Sequence, residues 1–123
     1  MRMVQGIGLL LSVSACGAGY AVPTQRMADA QAAQRSAKEL GADKIPEAQL
    51  HLKLAEEQIA KADASIKESD NRRADYILVR AKADAELALA IAKEKKSMSE
   101  AQMAAQQAAS QKTNNVEMNQ GAH

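Results

Sequence analysis

The sequence predicts an all-α protein: an antiparallel three-helix bundle with an extended third helix. Three observations carry that expectation. Alanine fills 27 of the 123 positions, Phe and Trp are absent, and Tyr occurs only at 20 and 76. Past residue 23 the sole proline is Pro46, β-branched residues are few, and the abundant Ala, Glu, Lys, Gln and Leu are strong helix formers. Apolar residues then recur every three or four positions in three successive runs, the period of one helix face.

The first run predicts a helix over residues 24–40. Thr24 is its candidate N-cap, and Gly41 stands just past its end. Met27, Ala30, Ala33, Ala37 and Leu40 form its stripe, opposite Gln31, Arg35 and Lys38. A short turn, 41–45, leads to a second helix expected over 44–68. Asp43 is its candidate cap, and Pro46 is tolerated in a first turn, where its missing N–H would be unpaired anyway. Ala48, Leu52, Ala55, Ile59, Ala62 and Ile66 alternate spacings of four and three, the rhythm of helices packed at small crossing angles. Leu50 and Leu54 lie off that stripe and are expected to face the third helix.

The third helix is expected over 71–109, after a turn at Ser69-Asp70-Asn71. It carries two stripes. Ala74, Leu78, Ala81, Ala85, Ala88 and Ala92 make one; Tyr76, Val79, Ala83, Leu87 and Ala90 make the other, on the far side. Polar residues separate them, and Asp84 and Glu86 read as solvated edges. Two stripes call for two neighbours: helix 2, and either helix 1 or another molecule. Leu52, Ile59, Ile66, Leu78 and Leu87 are expected to dominate the energy, because alanines bury little area each. Farther along, Met98, Ala101, Ala105 and Ala108 form a weaker stripe beyond the reach of the other helices, a candidate partner surface for a helical protein or for self-association. Residues 110–123 have no periodicity and are expected to be a disordered tail.

The amino-terminal region reads differently. Residues 1–15 have the make-up of a signal peptide: a basic start at Arg2, an apolar core from Val4 to Val13, and small residues before a cleavage site. The core is about half the roughly 20 residues that a membrane-crossing helix needs. Val13-Ser14-Ala15-Cys16 resembles the lipobox of bacterial lipoproteins, a branched aliphatic residue, a small residue, Gly or Ala, then Cys. The resemblance implies cleavage after Ala15, diacylglycerol on the Cys16 sulfur, and acylation of the new amino terminus. Ordinary secretory cleavage at the same bond is the alternative reading and would leave a free thiol. Cys16 is the only cysteine, so it has no partner for an intrachain disulfide. Residues 16–23 form the tether between a lipid anchor and the domain. Gly17, where inner-membrane retention in enterobacterial sorting would show Asp, implies the outer membrane, facing the periplasm.

Charge and composition exclude several functions. Of the 16 Lys and Arg residues one is Arg2, and the rest equal the 15 Asp and Glu residues. A balanced chain lacks the clustered basic surface that nucleic acid requires. With Tyr20 and Tyr76 its only aromatic rings, the chain offers no ring-lined pocket, and no small-molecule substrate or cofactor is expected. His51 has Glu47 four residues before it but Ala48 three before it, so the Glu-x-x-His ligand pair of helical metal sites is missing and no metal is expected. No Ser/His/Asp or Cys/His arrangement and no Gly-rich phosphate loop is present, and an enzyme is not expected.

Taken together, Ala30, Ala33, Ala37, Gly41-Ala42, Pro46-Glu47, Leu52, Ala55, Ile59, Ala62, Ala74, Arg80-Ala81, Asp84-Ala85-Glu86-Leu87-Ala88 and Ala92 resemble a family of small, alanine-rich helical domains of unknown function in bacterial envelope lipoproteins. Some members precede an OmpA-like peptidoglycan-binding domain. None follows in this sequence, so that function is not carried over. The resemblance implies a lipid-anchored envelope protein with a structural or interaction role. The alternative is a helical adaptor that binds a partner peptide or helix on the free stripe of the third helix.

Overall fold

A computed structural model describes residues 19–121, and the fold is all-α. Helix α1 spans Thr24–Glu39, a single 3-10 turn covers Ala42–Lys44, α2 spans Pro46–Lys67, and α3 spans Asn71–Gln120. The helices run up, down and up. Ala30 on α1 packs with Ala62, Ala74 and Leu78 in one core cluster. Ala37 and Ala42 pack with Ala48, Leu52, Ala88, Ile91 and Ala92 in the other. Helix α3 is the spine, packed against both partners far more extensively than α1 and α2 are packed against each other.

The six residues of the first α3 stripe, Ala74, Leu78, Ala81, Ala85, Ala88 and Ala92, are all buried, as the spacing predicts. Leu78 is the largest fully buried side chain. The second stripe meets no neighbour. Tyr76, Val79 and Leu87 are exposed, Leu87 by 44%, so Leu87 does not belong to the core as expected. The reason is that α1 and α2 both settle on the alanine face, where small side chains allow close approach of the axes. Leu50 and Leu54 likewise point to solvent rather than toward α3.

The turns explain the helix limits. Gly41 has φ +82°, the left-handed conformation that ends a helix, and its N–H bonds the Lys38 carbonyl. Asp43 lies in the 3-10 turn and does not cap α2; Ile45 precedes α2 without a side-chain cap, and Pro46 opens it. Thr24 is the first residue of α1 rather than its cap, which is Pro23. Helix α2 ends in a Schellman turn: the Asp70 N–H bonds the Ser65 carbonyl and the Ser69 N–H bonds the Ile66 carbonyl. Ser69 there adopts φ +62°, a conformation a non-glycine residue takes at a cost. Asp70 caps α3, its Oδ1 accepting from the Arg73 N–H at 3.1 Å.

Helix α3 is longer than expected. It continues through residues 110–120, which the sequence reading assigns to a disordered tail. Neither Gly nor Pro interrupts residues 71–120, and the first breaker is Gly121. Ser110 and Thr113 hydroxyls donate to the carbonyls four residues back, so their polar groups are satisfied within the helix. At 1.5 Å per residue α3 is about 75 Å long. Residues 93–120 are exposed on every side and form an arm of about 42 Å beyond the bundle.

Candidate functional site

Val13, Ser14, Ala15 and Cys16 lie outside the described residues. Tyr20, farther along, is held to the bundle. Residues 16–23 read as a free tether from the sequence, but Tyr20 is strapped to the start of α3. Its hydroxyl donates to Asp75 Oδ2 at 3.2 Å, and the Asn71 side-chain amide donates to its carbonyl at 2.8 Å. Asp75 also pairs with Arg26 on α1 and is buried. One carboxylate thus joins the strap, α1 and α3. The hydrogen bond to Asp75 and the negative charge of that group both push the Tyr20 phenol above its ordinary value of 10.0.

Asp84 is not a free solvated edge. Its Oδ1 lies 3.2 Å from His51 Nδ1, and its Oδ2 accepts from the Gln58 amide at 2.7 Å. This half-buried cluster ties α2 to α3. It explains His51 as a structural residue with a carboxylate partner. Among the described residues no group of three His, Cys, Asp or Glu side chains could hold a metal ion. On the other side of the bundle Lys38 pairs with Glu56, which also accepts from Gln34. The Lys38 ammonium holds the Glu56 carboxyl below its ordinary value. Beside this pair, Pro46, Gln49, Leu50 and Lys53 line a shallow groove of about 850 Å³. No aromatic ring lines it.

The candidate partner surface proves larger than the sequence suggests. Met98, Ala101, Ala105 and Ala108 are exposed, and so are Tyr76, Val79, Ala83, Leu87 and Ala90. Because α3 is one unbroken helix, successive residues turn by about 100°. Tyr76, Val79, Ala83, Leu87, Ala90, Met98, Ala101, Ala105 and Ala108 then all fall within a strip about 100° wide, opposite the buried alanines. Glu94 interrupts it at its centre, and Arg80 and Ser97 fall at its edges. The two stripes are one face, about 48 Å long.

The sequence reading found both halves of this face but not their union, which needs α3 to stay straight through residues 93–97. It missed the Tyr20–Asp75 strap and the His51–Asp84 contact altogether. Those partners are 55 and 33 residues apart, and no local pattern joins them.

A three-helix domain built on an alanine spine, with a long exposed arm, is thus the class the fold defines. No helix among the described residues is long and apolar enough to cross a membrane. The model of a family described as a domain of unknown function (DUF4398) matches residues 25–104, which run from the start of α1 into the arm; the chain belongs to that family. No curated protein and no solved structure matches the chain.

Proposed function

We propose that this chain is a lipid-anchored lipoprotein of the bacterial envelope, with a non-enzymatic structural or interaction role in the periplasm. The observation that carries the reading is Val13-Ser14-Ala15-Cys16 at the end of a short apolar run. Lipidated at Cys16, the chain would carry three acyl chains, and two anchoring signals already hold a protein stably on a membrane. The strap supports the same reading. It leaves three residues between Cys16 and the fixed Tyr20, a reach over four backbone steps of at most about 14 Å. An anchor at Cys16 would therefore hold the start of α3 against the membrane surface, most plainly of the outer membrane given Gly17. The interaction role belongs to the exposed face of α3.

Growth with radiolabelled palmitate tests the reading. The expected result is label on the intact chain and none on the Cys16→Ser variant, which keeps its uncleaved signal peptide and migrates more slowly. Absence of label on the unaltered chain, with normal processing after Ala15, would show a soluble secreted protein instead.

A further inference from the structure

We propose that the exposed face of α3 binds a second copy of this chain in antiparallel orientation, with the two-fold axis passing between residues 88 and 89. The proposal rests on the interaction role assigned to that face and adds its occupant and register.

The first support is spacing. From Tyr76 to Ala101 the face runs through 76, 79, 83, 87, 90, 94, 98 and 101. The intervals read the same from either end, so an antiparallel copy meets it layer for layer. Tyr76 then stands over the partner's Ala101, Val79 over Met98, Ala83 over Glu94, and Leu87 over Ala90. Large side chains face small ones in two of the four layers, the packing that fills a helix interface without voids. A parallel pair would set Tyr76 on Tyr76 and leave Ala83 and Ala90 facing alanines.

Charge gives the second support. Glu94 is the one acidic residue within the strip. Parallel pairing sets it against its own copy, a like-charge contact in a partly dried interface. Antiparallel pairing sets it over Ala83, one turn from the partner's Arg80. In the same register Glu86 comes beside the partner's Lys93 on one flank, and symmetry repeats that pair.

The third support is the strap. Asp75 and Asn71, which hold Tyr20, both lie on the flank of α3 that carries Glu86 and Lys93. Two-fold symmetry perpendicular to antiparallel helices brings like flanks together on one side of the pair. Both lipid-bearing segments then leave from the same side and reach one membrane. Parallel pairing would send them to opposite sides. The bundles do not obstruct either copy, because α1 and α2 cover the opposite face of α3.

The test uses the full chain in the membranes of cells making two differently tagged copies. Val79→Cys is placed in one copy and Met98→Cys in the other, and a short bis-maleimide is added. The chain without an added cysteine is the control, since Cys16 is its only cysteine. The expected result is a 79–98 bridge between the two tags, with 79–79 bridging at the background of the control. Glu94→Arg should lower the 79–98 yield by about threefold to fivefold, the scale of an exposed ion pair, and adding Arg80→Glu should restore it. A 79–79 bridge, or neither bridge, would overturn the proposal. Palmitate labelling of the same membranes separates the two claims: label without the 79–98 bridge refutes the pairing alone, and the bridge without label refutes the anchor alone.

Discussion

Asp75 is the residue on which the amino-terminal half of the molecule converges. It accepts from Tyr20, pairs with Arg26, and sits in the first turns of α3. Its charge favours the neutral phenol of Tyr20 in the folded state. The folded pKa of Tyr20 is raised, so the strap contributes stability that is present below pH 10 and lost as pH rises through the folded value. In a Tyr76→Phe background, where Tyr20 is the only tyrosine, ultraviolet titration should place its ionisation above 10.0, and Asp75→Asn should lower it. Ionisation at or below 10.0 would show the strap open in solution. A second residue-scale expectation concerns Ser69, held at φ +62°. Glycine takes that conformation freely, so Ser69→Gly should stabilise the chain by about 0.5–1 kcal/mol in urea unfolding. A loss of stability would mean that the Schellman turn does not form.

At the scale of the element, α3 has two faces with opposite tasks. Leu78 faces the core with no exposure, and Leu78→Ala should cost about 3 kcal/mol of stability. Leu87 is nearly half exposed on the other face, and Leu87→Ala should cost the single bundle less than about 1 kcal/mol while weakening the pairing of two copies. Equal losses for the two variants would contradict this division. The sequence shows the two faces clearly because Ala74 through Ala92 and Tyr76 through Ala90 are local repeats of the helical period. It does not show which neighbours cover them. That choice depends on how closely α1 and α2 approach the alanine face, a property of three helices at once. The end of α3 was hard to read for a related reason. Residues 110–120 have no apolar stripe, and the one local sign that the helix continues through them is the lack of a breaker before Gly121. Polar contacts between elements, such as His51 with Asp84, leave no periodic trace at all.

On the scale of the whole molecule, the strap would make the lipid anchor proposed at Cys16 and the bundle one mechanical unit. A signal at Cys16 followed by a loose linker would let the domain tumble. Here the chain is caught again at Tyr20, within about 14 Å of the anchor proposed at Cys16. Two such units joined along α3 would lie flat on the membrane, with their arms running past each other's turn at residues 68–70. The central claim is the acylation of Cys16, and the most direct measurement is mass spectrometry of the amino-terminal tryptic peptide from the membrane fraction. The expected result is a peptide from Cys16 to Arg26 carrying diacylglycerol on sulfur and an acyl group on nitrogen. A peptide from Cys16 to Arg26 with a free thiol, or one that still spans the Ala15–Cys16 bond, would contradict it.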